Sequence, residues 1–478
     1  MALSSAGQHE AATGAWRYIV ILATLALLPR FVLWYWYWIH PEIGLYHDET
    51  DYDQLARNLV EEGVYGYEQP GGAVTPASLR PPLYPAFLAA IYRLFPSDRF
   101  MALSVARLLQ GLLSLATAGI VFSLARRLFD DSAARVGAAI VCFYPSLLFY
   151  NQFVLTEVLF TLLLCSFVWA TVIALQERSL VWLATGAFFL GLAALTRSVV
   201  YLFPLLLAPF IAAAWTGPIR ERLLAGALAL AVSIAPMVPW SIRNTQLHGT
   251  FLVVDCMGGR NFMMGNYEYT PLYRAWDAIS LTGEQAWYHV LRQKYPEMRG
   301  LTQGQLDKLA LREGIRFVFD HPDLTVERDI IKLIQFWGLE REVVEGARRG
   351  QLGPLPHWLI LLLAGLVPGS YALVAVAAIW GAWLAPKKAV ACHVLVLLVV
   401  GTVCGLHTLS FGHSRYHVPL MPLLAGYAGA AYACWRAGTW LRTPIRLTGA
   451  TLTTLALVGA WVFEVVFVEW DKIVRLLG

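Results

Sequence analysis

The residues best suited to chemistry are four carboxylates that lie close together. Asp48, Glu49, Asp51 and Asp53 lie within LYHDETDYDQL, directly after a run of aromatic and aliphatic residues. Acids at a helix start can bond free backbone N–H groups and complement the helix dipole. That role accounts for one or two of the four, so we predict that at least one of them has a functional role at a membrane surface.

A further acid, Glu157, lies in NQFVLTEVLF at the start of an apolar run. A single Glu at such a place could simply extend its side chain to water. Ionisable residues within apolar runs are costly, however, and usually belong to a functional site. We therefore predict that Glu157 and Asp48 belong to the same site.

Five arginines lie in the stretches that flank the apolar runs. Arginine suits phosphate because its planar guanidinium forms charge-assisted and often bidentate hydrogen bonds. Each one alone could instead contact lipid headgroups. Acids and arginines that meet at one membrane surface predict a site for a phosphate-linked substrate. The arginines are Arg80 in LRPPLYPAF, Arg197 in LTRS, Arg243 in WSIRNTQLHG, Arg260 in GGRNF and Arg415 in GHSRYHVPLMP.

The histidines around Arg415 raise the question of a metal site. His407, His413 and His417 are loosely spaced, and no His-x-x-x-His pair with a helical Glu occurs, so zinc is not predicted. The pair Asp51 and Asp53 makes a divalent metal possible, since magnesium and manganese prefer oxygen ligands. A divalent metal is therefore possible but is not predicted, and no other cofactor is predicted.

The composition excludes an ordinary soluble globule. The chain has 478 residues, of which 58% are hydrophobic and 14% charged, and its mean hydropathy is +0.56. Such a chain is typical of a polytopic membrane protein. The net charge of +4 is small and is spread along the sequence, so no nucleic-acid partner is predicted. The cysteines form no CxxC pattern, and neither disulfides nor cysteine metal sites are predicted.

The apolar runs predict an all-α fold in one domain of residues 1–478. Each span needs roughly 20 apolar residues, and about eleven segments meet this need. The sequence assigns no role to Arg30, which lies inside the first of them. The predicted spans are 17–39, 102–125, 133–150, 153–175, 180–195, 199–215, 223–240, 358–384, 389–409, 416–435 and 447–468.

The short loops that carry lysine and arginine set the orientation. Because basic residues prefer the cytoplasmic side, they predict a cytoplasmic N-terminus. Two long segments, 40–101 and 241–357, then lie on the outer face. The first carries the acidic motif. Helical spacing from Tyr52 to Leu59 and a helix start at Pro322 predict an interfacial helix in each segment.

The motifs and their order resemble bacterial members of the GT-C superfamily of polyprenyl-phosphate-dependent glycosyltransferases. The branch most similar is that of the protein O-mannosyltransferases and lipid A aminoarabinose transferases. The resemblance covers most of the chain in order. The motifs are HDETDY, RPPLYPAFLAAIYRLF, LTEVLF, GLAALTR, WSIRNTQLHGTF, GGRNFMMGN and SRYHVPLMPLLA.

This resemblance implies roles for individual residues. Asp48 would be the catalytic carboxylate with Glu49 beside it, and Glu157 would be the second acid. Arg80 would approach the lipid phosphate. The pair Arg415 and Tyr416 matches the Arg-Tyr pair at the start of a late span, where it would help to bind the donor.

The implied activity is an inverting sugar transfer without an essential metal. A polyprenyl-phosphate-linked donor would give its sugar to a hydroxyl of a protein, a lipid or a cell-envelope glycan, on the outer face of a bacterial inner membrane. Some relatives carry a C-terminal soluble domain that this sequence lacks, so acceptor choice is expected to fall to the outer loops. The alternative is a transporter or flippase of lipid-linked sugars, which usually has repeated halves and a midplane site.

Overall fold

The computed structural model describes residues 5–439 and 444–477, which are mostly helical. One hairpin of two short antiparallel strands, β1 (Gly66–Glu68) and β2 (Val74–Pro76), follows the second helix. The α-helices are α1 (Ser5–Ile39), α2 (Asp48–Glu61), α3 (Leu83–Tyr92), α4 (Arg99–Leu128), α5 (Asp131–Phe143), α6 (Pro145–Tyr150), α7 (Glu157–Glu177), α8 (Leu180–Thr196), α9 (Phe203–Ala214), α10 (Ile219–Ile234), α11 (Val238–His248), α12 (Gly258–Met264), α13 (Trp287–Lys294), α14 (Gln303–Asp320), α15 (Pro322–Phe336), α16 (Glu342–Arg348), α17 (His357–Leu384), α18 (Val390–Leu409), α19 (Met421–Arg436), α20 (Pro444–Phe463) and α21 (Trp470–Leu477).

Shorter helical turns connect several of these elements. A π-helical turn, Glu464–Val468, follows α20. The 3-10 helices are Ser198–Val200, Ala235–Met237, Ala275–Ser280, Gly283–Gln285, Pro296–Gly300 and Ser414–Leu420.

Seven helical stretches within the described residues are long and apolar enough to cross a membrane, and the predicted all-α polytopic fold is confirmed. They are Arg17–Ile39, Arg99–Leu128, Glu157–Glu177, Ile219–His248, His357–Leu384, Val390–Leu409 and Pro444–Val468.

The other four predicted spans are also helical, but each is short or interrupted. Leu180–Thr196 and Ser198–Ala214 are short apolar helices. The predicted span 133–150 is divided into α5 and α6, because Pro145 disfavours helical backbone at Tyr144, which has a ψ of 118°. The predicted span 416–435 begins as a 3-10 helix and continues as α19.

The core of the bundle surrounds α7, most of which is buried, and α7 packs against α4 and α8. A second close contact joins α19 to α5 and α17. A Cβ atom at Gly381 would lie 1.8 Å from the carbonyl oxygen of Tyr427. Glycine is therefore required where α17 crosses α19, since small residues let membrane helices approach closely.

Arg30 has a structural role within the bundle. Its side chain is buried between α1, α4 and α5. It donates hydrogen bonds to Ser114 Oγ at 2.9 Å, to the carbonyl oxygen of Cys142 at 2.9 Å and to that of Ala26 at 2.8 Å. The buried guanidinium is thus stabilised by hydrogen bonds to neutral oxygens on three helices, and Arg30 joins the first helix to its neighbours.

The two long segments are packed against each other at one end of the bundle. The backbone N–H of Cys256 donates to the carbonyl oxygen of Ser78 at 3.0 Å. Ser78 Oγ donates to Asn244 Oδ1 at 2.8 Å. The helices predicted within these segments are present as α2 and α15. One cavity lies at this end of the bundle and takes residues from both segments.

Candidate active site

Glu49 fixes the start of α2. Its Oε1 accepts a hydrogen bond from the backbone N–H of Val154 at 2.7 Å, and its Oε2 accepts one from Tyr46 at 3.0 Å. Burial raises the pKa of Glu49, although these two N–H groups and Arg107 oppose that rise. The carboxylate is buried and does not line the cavity. Glu49 therefore ties the acidic motif to the turn before α7.

Asp53 anchors the same helix on its other side. It is buried and forms ion pairs with Arg57 at 3.0 Å and Arg99 at 2.7 Å. It also accepts a hydrogen bond from the hydroxyl of Tyr92 at 2.8 Å. Two of the four carboxylates of the motif, Glu49 and Asp53, thus hold α2 in place, and Asp48 and Asp51 remain at the cavity.

Arg80 joins Asp48 to Asp51. Its guanidinium donates to Asp48 Oδ1 at 2.6 Å and to Asp51 Oδ2 at 2.8 Å. The hydroxyl of Tyr65 donates to the carbonyl oxygens of Arg80 and Pro81 at 2.9 and 3.1 Å. The backbone around the two prolines is therefore fixed, and Arg80 faces the start of α2.

Arg415 bridges the two acids that the sequence predicted to share a site. Its Nε lies 2.6 Å from Glu157 Oε1, and its Nη1 lies 3.2 Å from Asp48 Oδ2. Arg197 also pairs with Glu157 Oε1, at 3.0 Å. The result is a continuous series of alternating charges, hereafter the acid–arginine network. Its members are Asp51, Arg80, Asp48, Arg415, Glu157 and Arg197.

The network changes the acidity of Asp48. Burial would raise the pKa of this carboxyl, but the nearby guanidinium groups of Arg415 and Arg80 outweigh burial and lower it to about 2. Asp48 is therefore fully ionised at neutral pH. While both arginines hold it, its lone pairs are engaged and it is a weak proton acceptor.

The cavity has a volume of about 1140 Å³ and combines polar and apolar walls. Asp48, Arg80, Arg197 and Arg415 line its polar wall. Its apolar side includes the first turns of α17. The α17 residues that line it are Leu361, Ala364, Gly365 and Pro368.

Tyr416 also lines the cavity, between the network and α18. Its ring stacks on His407 with 3.8 Å between ring centroids. The guanidinium of Arg197 lies over the ring of Tyr416, 5.5 Å from the ring centroid. The Tyr416 ring therefore contacts both the network, through Arg197, and His407 of α18.

The structure brings Asp48, Arg80, Arg197, Arg415 and Tyr416 to the cavity wall. Glu157 is buried directly behind that wall and reaches the cavity through its arginine partners.

The structure does not bring two of the predicted arginines to the cavity. Arg243 donates to the carbonyl oxygens of Ala77 at 2.7 Å and Tyr65 at 3.1 Å. Arg260 donates to the carbonyl oxygen of Gln303 at 3.0 Å and lies over the ring of Trp287. Arg243 thus joins the segment 241–357 to the segment 40–101, whereas Arg260 holds two parts of the segment 241–357 together.

The histidines do not converge on a metal site. His407 and His413 line the cavity, whereas His417 is buried and its ring contacts Glu340 and the carbonyl oxygen of Phe336. Within residues 5–439 and 444–477, no group of three or more His, Cys, Asp or Glu side chains has the arrangement that a metal ion needs.

Sequence reasoning missed several residues that line the cavity. Asp255 follows an apolar run as a single acid, a pattern with no motif to mark it. Arg274 and Trp276 lie in an irregular stretch, and Arg341 lies in a charge-rich segment of the kind that usually faces solvent. The signal that they share is only their place in the segment 241–357.

Known proteins share both sequence and architecture with this chain. Residues 79–240 match the family described as dolichyl-phosphate-mannose-protein mannosyltransferase. That range contains Arg80, Glu157 and Arg197. No curated protein sequence matches the chain.

Among solved structures, this chain is similar in fold to the archaeal oligosaccharyltransferase AglB from Archaeoglobus fulgidus, solved in complex with an inhibitory peptide and a dolichol-phosphate. The TM-score is 0.50 at 13% identity, over 93% of this chain and 54% of AglB. The same enzyme tethered to an acceptor peptide gives a TM-score of 0.51 at 14% identity, with coverages of 93% and 54%.

A third structure, ArnT from Cupriavidus metallidurans bound to undecaprenyl phosphate, gives a TM-score of 0.40 at 14% identity, over 87% of this chain and 77% of ArnT. This chain spans about half the length of the archaeal enzyme, and the likeness to that enzyme is one of fold. The family match over residues 79–240 and the shared fold support the predicted resemblance to the GT-C superfamily of glycosyltransferases.

Proposed function

We propose that this protein transfers a sugar from a polyprenyl-phosphate-linked donor to a hydroxyl acceptor, with inversion at the anomeric carbon. The observation that carries the proposal is the acid–arginine network on the wall of a cavity whose other wall is a membrane helix. The network suits the phosphate of such a donor, and the membrane helix suits its lipid.

The arginines supply what the leaving group requires. A sugar phosphate needs no protonation to leave, but the negative charge that develops on the phosphate needs donors placed in advance. Arg80 and Arg415 lie on the cavity wall, each held in position by carboxylates. A phosphate oxygen would compete with Asp48 for these guanidinium groups through charge-assisted hydrogen bonds.

The apolar wall of the cavity fits the lipid part of the donor. Leu361, Ala364, Gly365 and Pro368 belong to α17, one of the helices long enough to span a membrane. Gly365 presents no side chain, so an isoprenoid chain can lie close to the helix there. A donor lying in the bilayer would reach the arginines without leaving the lipid.

The comparisons support a lipid-linked donor. The matched family is described as using dolichyl-phosphate-mannose with protein acceptors, and one similar AglB structure contains dolichol-phosphate with a peptide. For this chain we propose a polyprenyl-phosphate sugar as donor and a protein, lipid or cell-envelope glycan as acceptor. The cavity volume is large enough for a sugar and part of an acceptor.

We also propose that the cavity faces the outside of a bacterial inner membrane and that the N-terminus is cytoplasmic. The excess of lysine and arginine in the short loops at the other end of the helices supports this orientation. The segments 40–101 and 241–357 would then be outer loops of a single GT-C domain. A cysteine at Asp320 should react with an impermeant thiol reagent in intact cells after the outer membrane is opened, whereas a cysteine at Arg178 should not.

The proposal favours an enzyme over a transporter for a specific reason. The network lies where membrane helices begin or end, at the first residue of α7 and just after α8. Transporters usually bind substrates near the middle of the bilayer. Polar side chains gathered at one end suit chemistry at a membrane surface.

The decisive experiment reconstitutes the purified protein in lipid with a panel of labelled polyprenyl-phosphate sugars and acceptor extracts. We expect one donor to release polyprenyl phosphate while its label passes to an acceptor. Arg80→Gln serves as the inactive comparison. Intact donor with every acceptor, together with movement of that donor across the bilayer, would favour the transporter instead.

A further inference from the structure

Trp276 places an indole ring on the cavity wall. It belongs to the 3-10 helix Ala275–Ser280 and is partly exposed. The residue before this helix, Arg274, donates a hydrogen bond to the carbonyl oxygen of Val468 at 2.6 Å and pairs with Glu469 at 3.2 Å. The backbone that carries Trp276 is therefore anchored to the turn that follows α20.

Three aromatic rings hold the Trp276 ring in place. Its centroid lies 5.4 Å from that of Phe411, 5.3 Å from that of His413 and 5.7 Å from that of Tyr416. The ring planes cross at angles of 75°, 47° and 68°, so none of these three rings stacks parallel on the indole. Edge-to-face and tilted contacts of this kind stabilise one orientation of a side chain. The indole is thus held in one position and still has surface in the cavity.

Two of these rings connect Trp276 to the acid–arginine network. Tyr416 directly follows Arg415, and the guanidinium of Arg197 lies 5.5 Å from the Tyr416 ring centroid. His413 Nδ1 accepts a hydrogen bond from the backbone N–H of Arg415 at 3.1 Å. Each ring therefore contacts both Trp276 and an arginine of the network. Only one side chain separates Trp276 from the arginines that are proposed to hold the phosphate.

Two tyrosines also line the cavity, but their rings already have partners. The ring of Tyr416 is stacked on His407 at 3.8 Å, with 7° between the two planes. Tyr52 is buried, and the guanidinium of Arg80 lies 5.4 Å from its ring centroid. Trp276 has neither a parallel ring nor a guanidinium against it within the part of the chain that the structure describes. Of these three rings, Trp276 is the one against which a ligand can stack.

A sugar ring is the ligand group that suits this position. A pyranose presents a face of C–H groups with slight positive charge, and the face of an indole carries negative charge. The hydroxyls at the edge of the sugar can bond to polar side chains, and Asp277 and Ser280 of the same 3-10 helix line the cavity. The sugar of a polyprenyl-phosphate donor is bonded directly to the phosphate, so it must lie next to the arginines.

Resting on the proposed function, we infer that Trp276 forms the sugar subsite of the cavity, where its indole ring stacks on the pyranose of the polyprenyl-phosphate donor. The ring stabilises the bound sugar through dispersion and through contact with its C–H face. Trp276 takes no part in breaking the bond to phosphate and is a binding residue. The donors that fit best are pyranoses with a continuous C–H face.

The test compares two probes that differ only in the sugar. They are the polyprenyl-phosphate sugar that the wild-type protein consumes and polyprenyl phosphate alone, and both are titrated against the full-length protein in lipid. Trp276→Leu keeps an apolar side chain but has no aromatic face. We expect it to weaken binding of the sugar-bearing probe by about tenfold. Binding of polyprenyl phosphate alone should stay within about twofold, because Trp276 contacts no lipid or phosphate in this arrangement.

Two further variants and the kinetics separate stacking from a structural role. Trp276→Phe keeps an aromatic face and should regain most of the affinity for the sugar-bearing probe. Trp287→Leu makes the matched change at a tryptophan that does not line the cavity, and should leave binding of both probes unaltered. In turnover, Trp276→Leu should raise the donor KM by about tenfold and leave kcat within about threefold, since stacking stabilises the bound donor and the transition state alike.

Several results would overturn the inference while leaving the proposed function intact. Trp276→Leu could bind both probes as wild type does, or lose affinity for both equally, and neither result is compatible with a sugar subsite. Equal losses in Trp276→Leu and Trp276→Phe would exclude stacking, and a raised acceptor KM with unchanged donor binding would assign the ring to the acceptor. A wild-type protein that binds polyprenyl phosphate but consumes no sugar donor would remove the proposed function itself, and the sugar subsite with it.

Discussion

The segments 40–101 and 241–357 both carry conspicuous charged motifs, yet they contribute to the cavity in different ways. In the first, Asp48 and Arg80 pair with each other on the cavity wall. In the second, the guanidinium groups of Arg243 and Arg260 donate to backbone carbonyl oxygens away from it. A charged motif therefore indicates a binding role only when its partners are side chains that a ligand can displace.

The second segment still contributes to the cavity through less conspicuous residues. Asp255, Arg274, Trp276 and Arg341 line it, and none belongs to a recognisable pattern. Under the proposed function, the first segment would supply the charge that binds the phosphate, and the second would supply side chains around the space proposed for the sugar and the acceptor. Variants in the two segments should separate effects on phosphate binding from effects on the sugar and the acceptor.

The largest effect is expected for Arg415→Gln, which breaks the link between Asp48 and Glu157 in the acid–arginine network. The change leaves Glu157 with one cation instead of two and frees Asp48 from one of its partners. We expect consumption of the sugar donor to fall by at least about 10³-fold. The leaving phosphate loses a hydrogen-bonding guanidinium, and buried charges become unpaired. Arg178→Gln, at an exposed arginine that pairs with Glu221 and does not line the cavity, is the control. Near-normal turnover in Arg415→Gln would exclude the network from the chemistry.

Asp48→Asn should have the next largest effect. Arg80 and Arg415 would keep Asp51 and Glu157 but lose the carboxylate that joins them. We expect a loss of about 10²-fold in transfer, with expression and thermal stability close to wild type. The measurement is single-turnover release of polyprenyl phosphate. Full activity in this variant would show that Asp48 has no role in the site.

Glu49→Gln should affect stability more than chemistry. The new amide would place a donor opposite the backbone N–H of Tyr46 or Val154, both of which now donate to the carboxylate. Leaving one buried N–H unpaired costs about 1–3 kcal/mol. We expect a lower melting temperature in detergent and a nearly unchanged donor KM. A large change in kcat without loss of stability would instead support direct participation by Glu49.

The smallest effects on transfer are expected for Arg243 and Arg260 in the second segment. Arg243→Gln should lower thermal stability, because hydrogen bonds to Ala77 and Tyr65 are lost. Arg260→Gln should have a weaker effect, since one backbone contact and one aromatic contact are lost. Both should bind polyprenyl phosphate within about threefold of wild type, compared with a loss above about tenfold for Arg80→Gln. A donor-binding defect equal to that of Arg80→Gln would remove the distinction between the segments.

The helices and the principal charges could be predicted from sequence for a simple reason. A bilayer requires long apolar helices, so the helical fold and the order of the apolar runs follow from composition, although four of the eleven predicted spans are short or interrupted. Asp48, Arg80, Glu157 and Arg415 were found because ionisable residues next to such helices are costly. The interruption at Tyr144 was missed, although Pro145 marks it, because the apolar run continues on both sides.

By itself, the sequence determined the helical membrane fold and the residue types that can bind a phosphate. Only the tertiary structure decided which charges face the cavity. A guanidinium looks the same in sequence whether it meets a carboxylate, as Arg415 does, or a backbone carbonyl, as Arg243 does. The chemical role of each charge depends on its partners, and distant segments supply those partners.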